Sequence, residues 1–123
     1  MSKASILLIE DSGYLAESVQ DALEMHDYEV HVASTGQAGI DYALAHHPDF
    51  TLLDIRLPDI SGYEVYSTIR ADSWGKKTPI AILTASESLE SISKNINMPL
   101  EHVLFKPNQS LSDIVTHIEK RLE

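Results

Sequence analysis

The sequence contains no cysteine. That excludes a disulfide scaffold, a thiolate metal site and cysteine-based catalysis. Basic residues are scarce: nine Lys and Arg stand against nineteen Asp and Glu, a formal net charge of −10. Nucleic acids and anionic membranes are polyanions, so such an acidic chain suits a cation or a basic partner better than either. Long apolar runs are missing too. No stretch approaches the ~20 residues of a membrane span. The opening MSKASILLIED has four apolar residues in a row and then two acids, too short for a signal peptide. There is no repeat, low-complexity segment or linker. These absences lead to the expectation of a soluble, cytoplasmic chain. Its 123 residues, 43% hydrophobic and 23% charged, have the size and composition of one domain over 1–123 with a real core.

What is present is an alternation. Ile6 to Ile9 is a short apolar run closed by Glu10 and Asp11, and similar runs recur at Val30 to Ala33, Phe50 to Asp54, Pro79 to Leu83 and His102 to Phe105. Short runs with polar ends fit strands buried on both faces. Between them the spacing is helical: Leu15, Val19, Ala22 and Leu23 share one face, and Leu111, Ile114, Val115, Ile118 and Leu122 make one core-facing stripe. Weaker helical patterns cover Ala38 to Leu44 and Val65 to Ile69. Ser61 with Glu64, and Ser110 with Asp113, have the spacing of capping boxes. Gly36, Gly62 and the five prolines fall between elements or at their edges. Five strands alternating with five helices predict an α/β fold, (βα)5, with a parallel sheet between two helical layers.

Such sheets bind ligands beyond the carboxyl ends of their strands. Glu10 and Asp11 follow the first strand, Asp54 ends the third, Thr84 follows the fourth, and Lys106 with Pro107 follows the fifth. Three acids, a hydroxyl and a lysine therefore converge on one edge. Two like charges ~4 Å apart cost about 4 kcal/mol at an effective dielectric of ~20, so the acids need a cation. An all-oxygen donor set selects a hard ion, and an open edge with few protein ligands favours Mg²⁺, which keeps waters and accepts phosphate oxygens. Together these are the parts for phosphoryl transfer to a strand-end carboxylate. Each residue alone has a structural reading: Asp11 as the N-cap of the first helix, Thr84 with Glu87 as a capping box, Lys106 as a surface lysine, and Asp54 as a turn residue before Pro58.

The set resembles the response-regulator receiver domains of two-component signalling. The resemblance rests on Glu10-Asp11 after an apolar run, on Leu52-Leu53-Asp54-Ile55-Arg56-Leu57-Pro58-Asp59-Ile60-Ser61-Gly62, on Leu83-Thr84-Ala85 and on Phe105-Lys106-Pro107, and it spans about residues 5–122. It implies a flavodoxin-like strand order of 2-1-3-4-5. It implies that Asp54 is the phosphoacceptor. Mg²⁺ would be bound by Asp11, Asp54 and the Arg56 carbonyl, with Glu10 acting through water. Thr84, Lys106 and the backbone N–H groups of Arg56 and Ala85 would hold the phosphoryl group, and the Lys106–Pro107 bond would be cis. The implied partners are a sensor histidine kinase or histidine phosphotransfer protein, and a downstream protein at the face made by the fourth helix, fifth strand and fifth helix.

The departures are equally specific. Receivers usually carry Tyr or Phe at the position of Val103, and that ring switches rotamer on activation. Asn95-Ile96-Asn97-Met98-Pro99 replaces the family's small-residue turn, and Arg56 stands where dephosphorylation is tuned. A degenerate receiver that works by protein contact without phosphate is therefore the alternative. A phosphatase of the haloacid-dehalogenase type would need a second acid where Arg56 stands. A flavin or nucleotide carrier would need N–H donors where Glu10-Asp11-Ser12-Gly13 offers acids. The histidines lack metal-ligand spacing and read as solvated, and Trp74 reads as partly packed in a loop.

Overall fold

The computed structural model describes residues 4–85, 91–92, 94, 96, 98–99 and 102–123. Five parallel strands, β1 (Ser5–Ile9), β2 (Glu29–Ala33), β3 (Phe50–Asp54), β4 (Ile80–Thr84) and β5 (Val103–Phe105), form one sheet in the order β2-β1-β3-β4-β5. Helices α1 (Gly13–Met25), α2 (Gly36–His46), α3 (Gly62–Ala71) and α4 (Leu111–Leu122) connect or follow them. The helix expected between β4 and β5 lies largely outside the described residues, although Ser91, Ile92 and Lys94 are helical. Glu87, Asn95 and Asn97 also lie outside them.

The sequence dictates this layering through its strand interiors. β3 and β4 are buried at every residue and β1 at all but its first, because each has a strand on both sides and a helical layer above and below. Side chains alternate between two cores. Ile6, Leu8, Leu52 and Leu83 meet Val19 and Leu23 of α1 and Ile114 and Ile118 of α4. Leu7, Ile9, Leu53 and Ile82 meet Ile40 and Ala43 of α2 and Val65 and Ile69 of α3. Truncating one such residue, Leu52 for example, to Ala is expected to cost about 2–5 kcal/mol. The edge strands β2 and β5 are only partly buried.

Four side-chain caps start the helices. Ser12, Thr35, Ser61 and Ser110 accept the N–H groups of Leu15, Ala38, Glu64 and Asp113, each cap contributing roughly 1 kcal/mol. Ser110 and Asp113 form the full reciprocal box. The cap of α1 is thus Ser12 and not Asp11, which removes the structural role that Asp11 was expected to compete for. Leu111 is 41% exposed and lies outside the core stripe, since it occupies the first helical position where the chain enters from solvent. β4 starts at Ile80 and not Pro79, and β5 at Val103 and not His102, whose N–H turns back to the Pro99 carbonyl. Four of the six histidines, His26, His31, His46 and His47, are exposed, as expected. His31 and His46 stack on the two faces of Tyr42, and His47 stacks on half-buried Trp74.

Candidate functional site

The carboxyl ends of the strands collect the predicted residues. Glu10 leaves β1 with its N–H bonded to the Ala33 carbonyl, so its side chain enters the sheet edge and is 2% exposed. Its Oε2 accepts the Ser12 N–H at 3.1 Å, and its Oε1 pairs with Lys106 Nζ at 2.8 Å. Asp54, the last residue of β3, is 5% exposed. Its Oδ1 accepts the Arg56 N–H at 3.3 Å, and its Oδ2 accepts from Lys106 Nζ at 3.1 Å. Asp11 is exposed, and one carboxylate oxygen each from Glu10, Asp11 and Asp54 lie within 4.8 Å of one another. Thr84 ends β4 and is buried, with exposed Ala85 after it.

The electrostatics follow from this packing. Burial raises the pKa of Glu10 and the Asp54 charge adds to the rise, outweighing the Lys106 contact that opposes it. Burial alone would lower the pKa of Lys106. The hydrogen bonds and charges of Glu10 and Asp54 overcome that, so its pKa rises and the ammonium is kept charged. Among the described residues, Lys106 thus meets two of three clustered carboxylates, which together offer an all-oxygen donor set. Such a set fits a hard divalent cation.

One expectation is corrected here. No cis peptide bond occurs among the described residues, so Lys106–Pro107 is trans. Lys106–Asn108 form a single 3₁₀ turn with Pro107 near its start. There the fixed φ of proline fits and its missing N–H costs no bond. Trans is also favoured by about 0.5–1 kcal/mol, and Lys106 reaches both carboxylates from it.

Two supporting residues carry weak sequence signals. Asp59 accepts the N–H groups of Gly36 at 2.8 Å and Gln37 at 2.9 Å, which ties the loop after Asp54 to the start of α2 and lowers its own pKa. A Pro58-Asp59 turn is visible in sequence, but its partners across the fold are not. Gly62 donates its N–H to the Ile55 carbonyl at 2.7 Å, and a Cβ there would overlap the Asp54 carbonyl oxygen and the Ile55 Cα. Glycine therefore lets the loop close directly over the Asp54 backbone. Val103 is half-buried against the α2–α3 core, and Phe105 is 37% exposed.

Comparison with known proteins agrees with this geometry. The family model for the response regulator receiver domain matches residues 6–119. The cell cycle response regulator CtrA of Brucella ovis is 35% identical over 102 residues, which cover 83% of this chain and 43% of that protein. The chain thus spans less than half the length of the curated relatives it matches. Among solved structures, the receiver domain of sensor histidine kinase PA1611 from Pseudomonas aeruginosa has a magnesium ion coordinated in its active-site cleft. It superposes with a TM-score of 0.87 at 25% identity, covering 98% of both chains. A CheY-like receiver protein from Methanospirillum hungatei gives 0.84 at 25% identity over 98% of this chain and 94% of its own. With the strand order, the strand-end acids and Lys106 in place, the chain belongs to the response regulator receiver domain family.

Proposed function

We propose that residues 1–123 form a single receiver, with a core over about 5–122, whose Asp54 accepts a phosphoryl group from a sensor histidine kinase or a histidine phosphotransfer protein. The observation that carries the reading is Lys106 Nζ lying 2.8 Å from Glu10 and 3.1 Å from Asp54, with the Asp11 carboxylate beside them. Mg²⁺ would be held by Asp11, Asp54 and the Arg56 carbonyl, with Glu10 acting through water. Bound there, the ion supplies charge neutralisation for the phosphoryl oxygens. An Asp54 carboxylate oxygen forms the new bond to phosphorus as the phosphorus–nitrogen bond of the donor phosphohistidine breaks. The imidazole leaves with that electron pair. Lys106, the Thr84 hydroxyl and the N–H groups of Arg56 and Ala85 then donate to the phosphoryl oxygens. The chain catalyses only its own phosphorylation and dephosphorylation.

Donation by Thr84 and Lys106 draws both toward Asp54, and the resulting shift is read by a downstream protein at the face that includes β5 and α4. Among the described residues no helix is long and apolar enough to cross a membrane, in keeping with a cytoplasmic setting. The test is incubation with acetyl phosphate, with Mg²⁺ or with EDTA. One covalent phosphoryl group should appear only with Mg²⁺ and should be released by hydroxylamine, as an acyl phosphate is. No label with Mg²⁺ would favour the contact-only module, which the valine at position 103 otherwise supports.

A further inference from the structure

The loop from Asp54 to α3 carries the Arg56 peptide, whose carbonyl and N–H are the groups that would meet the metal and the phosphoryl oxygens. The far half of this loop is tied across the fold. Asp59 Oδ1 accepts the Gly36 N–H at 2.8 Å and its Oδ2 accepts the Gln37 N–H at 2.9 Å, both at the start of α2. We propose that Asp59 is a positioning residue for phosphoryl transfer, holding the Arg56 peptide in place through this clamp, a role that rests on Asp54 being the phosphoacceptor.

A helix start leaves its first N–H groups without helical partners. Thr35, the N-cap of α2, accepts the third of them, from Ala38, at 3.1 Å. Those of Gly36 and Gln37 are met by Asp59 instead. Two adjacent N–H groups need two acceptor oxygens at once, which a carboxylate supplies and a carboxamide, with one such oxygen, does not. The negative charge also suits the positive end of an 11-residue helix. These N–H bonds, that of Gln37 foremost, lower the Asp59 pKa, so the clamp is ionised at neutral pH.

Packing fixes the same junction. Gly36 is buried against Ile60, the residue after Asp59. A Cβ on Gly36 would stand 2.5 Å from Ile60 Cγ1 and 2.9 Å from Val65 Cγ2, so α2 sits directly on the loop and on α3. At the near end of the loop, Arg56 donates its N–H to Asp54 Oδ1 at 3.3 Å, and Ile55 accepts from Gly62 at 2.7 Å. The stretch from Arg56 to Asp59 thus runs between an anchor at Asp54 and an anchor on α2. The 3.3 Å bond is long for an N–H donor and holds the peptide loosely by itself. The clamp on α2 limits how far that peptide can move.

Phosphoryl transfer depends on groups held in position before reaction, and a displacement of about 1 Å costs up to about a hundredfold in rate. Cutting the clamp frees residues 56–59 and leaves Asp11, Asp54, Thr84 and Lys106 in the chain. A loss of rate then comes from misplacement of the Arg56 N–H and carbonyl, and not from loss of a reacting group. The opposite end of β3 holds a matched carboxylate. Asp49 accepts the Ser5 N–H at 2.8 Å and the Ser5 hydroxyl at 3.3 Å, so its removal costs comparable bonds far from the site.

Two readouts test the proposal: Mg²⁺ titration, and the rate of acetyl phosphate labelling at saturating Mg²⁺. Both are measured on wild type, Asp59→Ala, Asp59→Asn and Asp49→Ala, well below their melting temperatures. Asp59→Ala should shift the Arg56 and Leu57 amides before metal or donor is added, weaken Mg²⁺ binding and slow labelling by about tenfold. Asp59→Asn keeps one acceptor oxygen and should fall between that variant and wild type; it decides alone if Asp59→Ala does not fold. Asp49→Ala should lower Tm but leave Mg²⁺ affinity and labelling rate unchanged, which separates positioning from stability. Wild-type affinity and rate in the folded Asp59 variants, or equal losses in Asp49→Ala, would overturn the positioning role and leave Asp54 standing as the phosphoacceptor. A wild type that takes no label would remove that reading and the positioning role with it.

Discussion

Replacing Lys106 by Met keeps an unbranched chain in the site and removes the ammonium that pairs with Glu10 and Asp54. The lysine stands 2.8 Å from Glu10 and 3.1 Å from Asp54, whose side chains are 1% and 7% exposed against its own 20%. At an effective dielectric of ~20 those two attractions are about 5–6 kcal/mol each before the cost of desolvation, which offsets most of them. Without the ammonium, two carboxylates within 4.8 Å repel by about 3–4 kcal/mol on the same scale. Breaking a buried ion pair costs about 3–5 kcal/mol, and the partly exposed lysine head places Lys106→Met near 3 kcal/mol at neutral pH. The loss should depend on pH. Burial and Asp54 already raise the Glu10 pKa against the opposing pull of Lys106, so removing the lysine raises it further. A carboxyl with a raised folded pKa gains stability as pH falls through that pKa, and the deficit of the variant should shrink on acidification from neutrality. Wild-type Lys106 behaves differently. Its folded pKa lies above 10.5, so its contribution is complete below that unfolded value and is lost only as pH rises through the raised one. Urea unfolding of both proteins from neutral to acid pH measures the difference. A deficit below about 1 kcal/mol, or one that does not change with pH, would refute the electrostatic account of the site.

Three further outcomes are expected. Mg²⁺ should raise the Tm of wild type, with a stabilisation of about 2.7 kcal/mol at a hundred times Kd. Asp11→Ala should melt higher than wild type without metal, because a repelling carboxylate is gone, and should respond far less to Mg²⁺; an unchanged response would remove Asp11 from the metal site. Asp59→Asn should lower Tm at neutral pH. The lowered pKa of Asp59 gives stability that is present above its unfolded value of 3.8 and lost as pH falls through the folded value, so wild type and variant should converge in acid, and a gap that persists there would refute the clamp. Beryllofluoride with Mg²⁺ should shift amides near Thr84 strongly but those of β5 and α4 weakly, since Val103 lacks the ring volume and rotamers of an aromatic switch. Val103→Tyr should enlarge the β5 and α4 shifts, and large wild-type shifts unaltered by the ring would show that the valine does not limit coupling.

The fold was legible where burial is two-sided. β1, β3 and β4 are enclosed by strands and helices, so they read as unbroken apolar runs whose polar ends coincide with the site. The edge strands were less sharp, because their burial is partial and the apolar signal fades at Glu29 and His102. Glu10, Asp11, Asp54, Thr84 and Lys106 were readable for the same reason: parallel topology brings every strand's carboxyl end to one edge. What sequence could not supply is long-range or locally degenerate. Asp11 and Ser12 are adjacent and both competent to cap α1, and only the backbone path chooses Ser12. Lys106-Pro107 permits either isomer, and the following turn selects trans. The Asp59 bonds to Gly36 and Gln37 join segments far apart in the chain, so no local pattern announces them.

Asp54 is expected to be the residue phosphorylated. Intact-mass analysis of wild type and Asp54→Asn after acetyl phosphate and Mg²⁺ tests it most directly. Asn keeps the shape of the side chain and its place beside Lys106 but lacks the nucleophilic carboxylate. One added phosphoryl group is expected on wild type and none on the variant. Equal labelling of the variant, or wild-type label mapped to another residue, would contradict it.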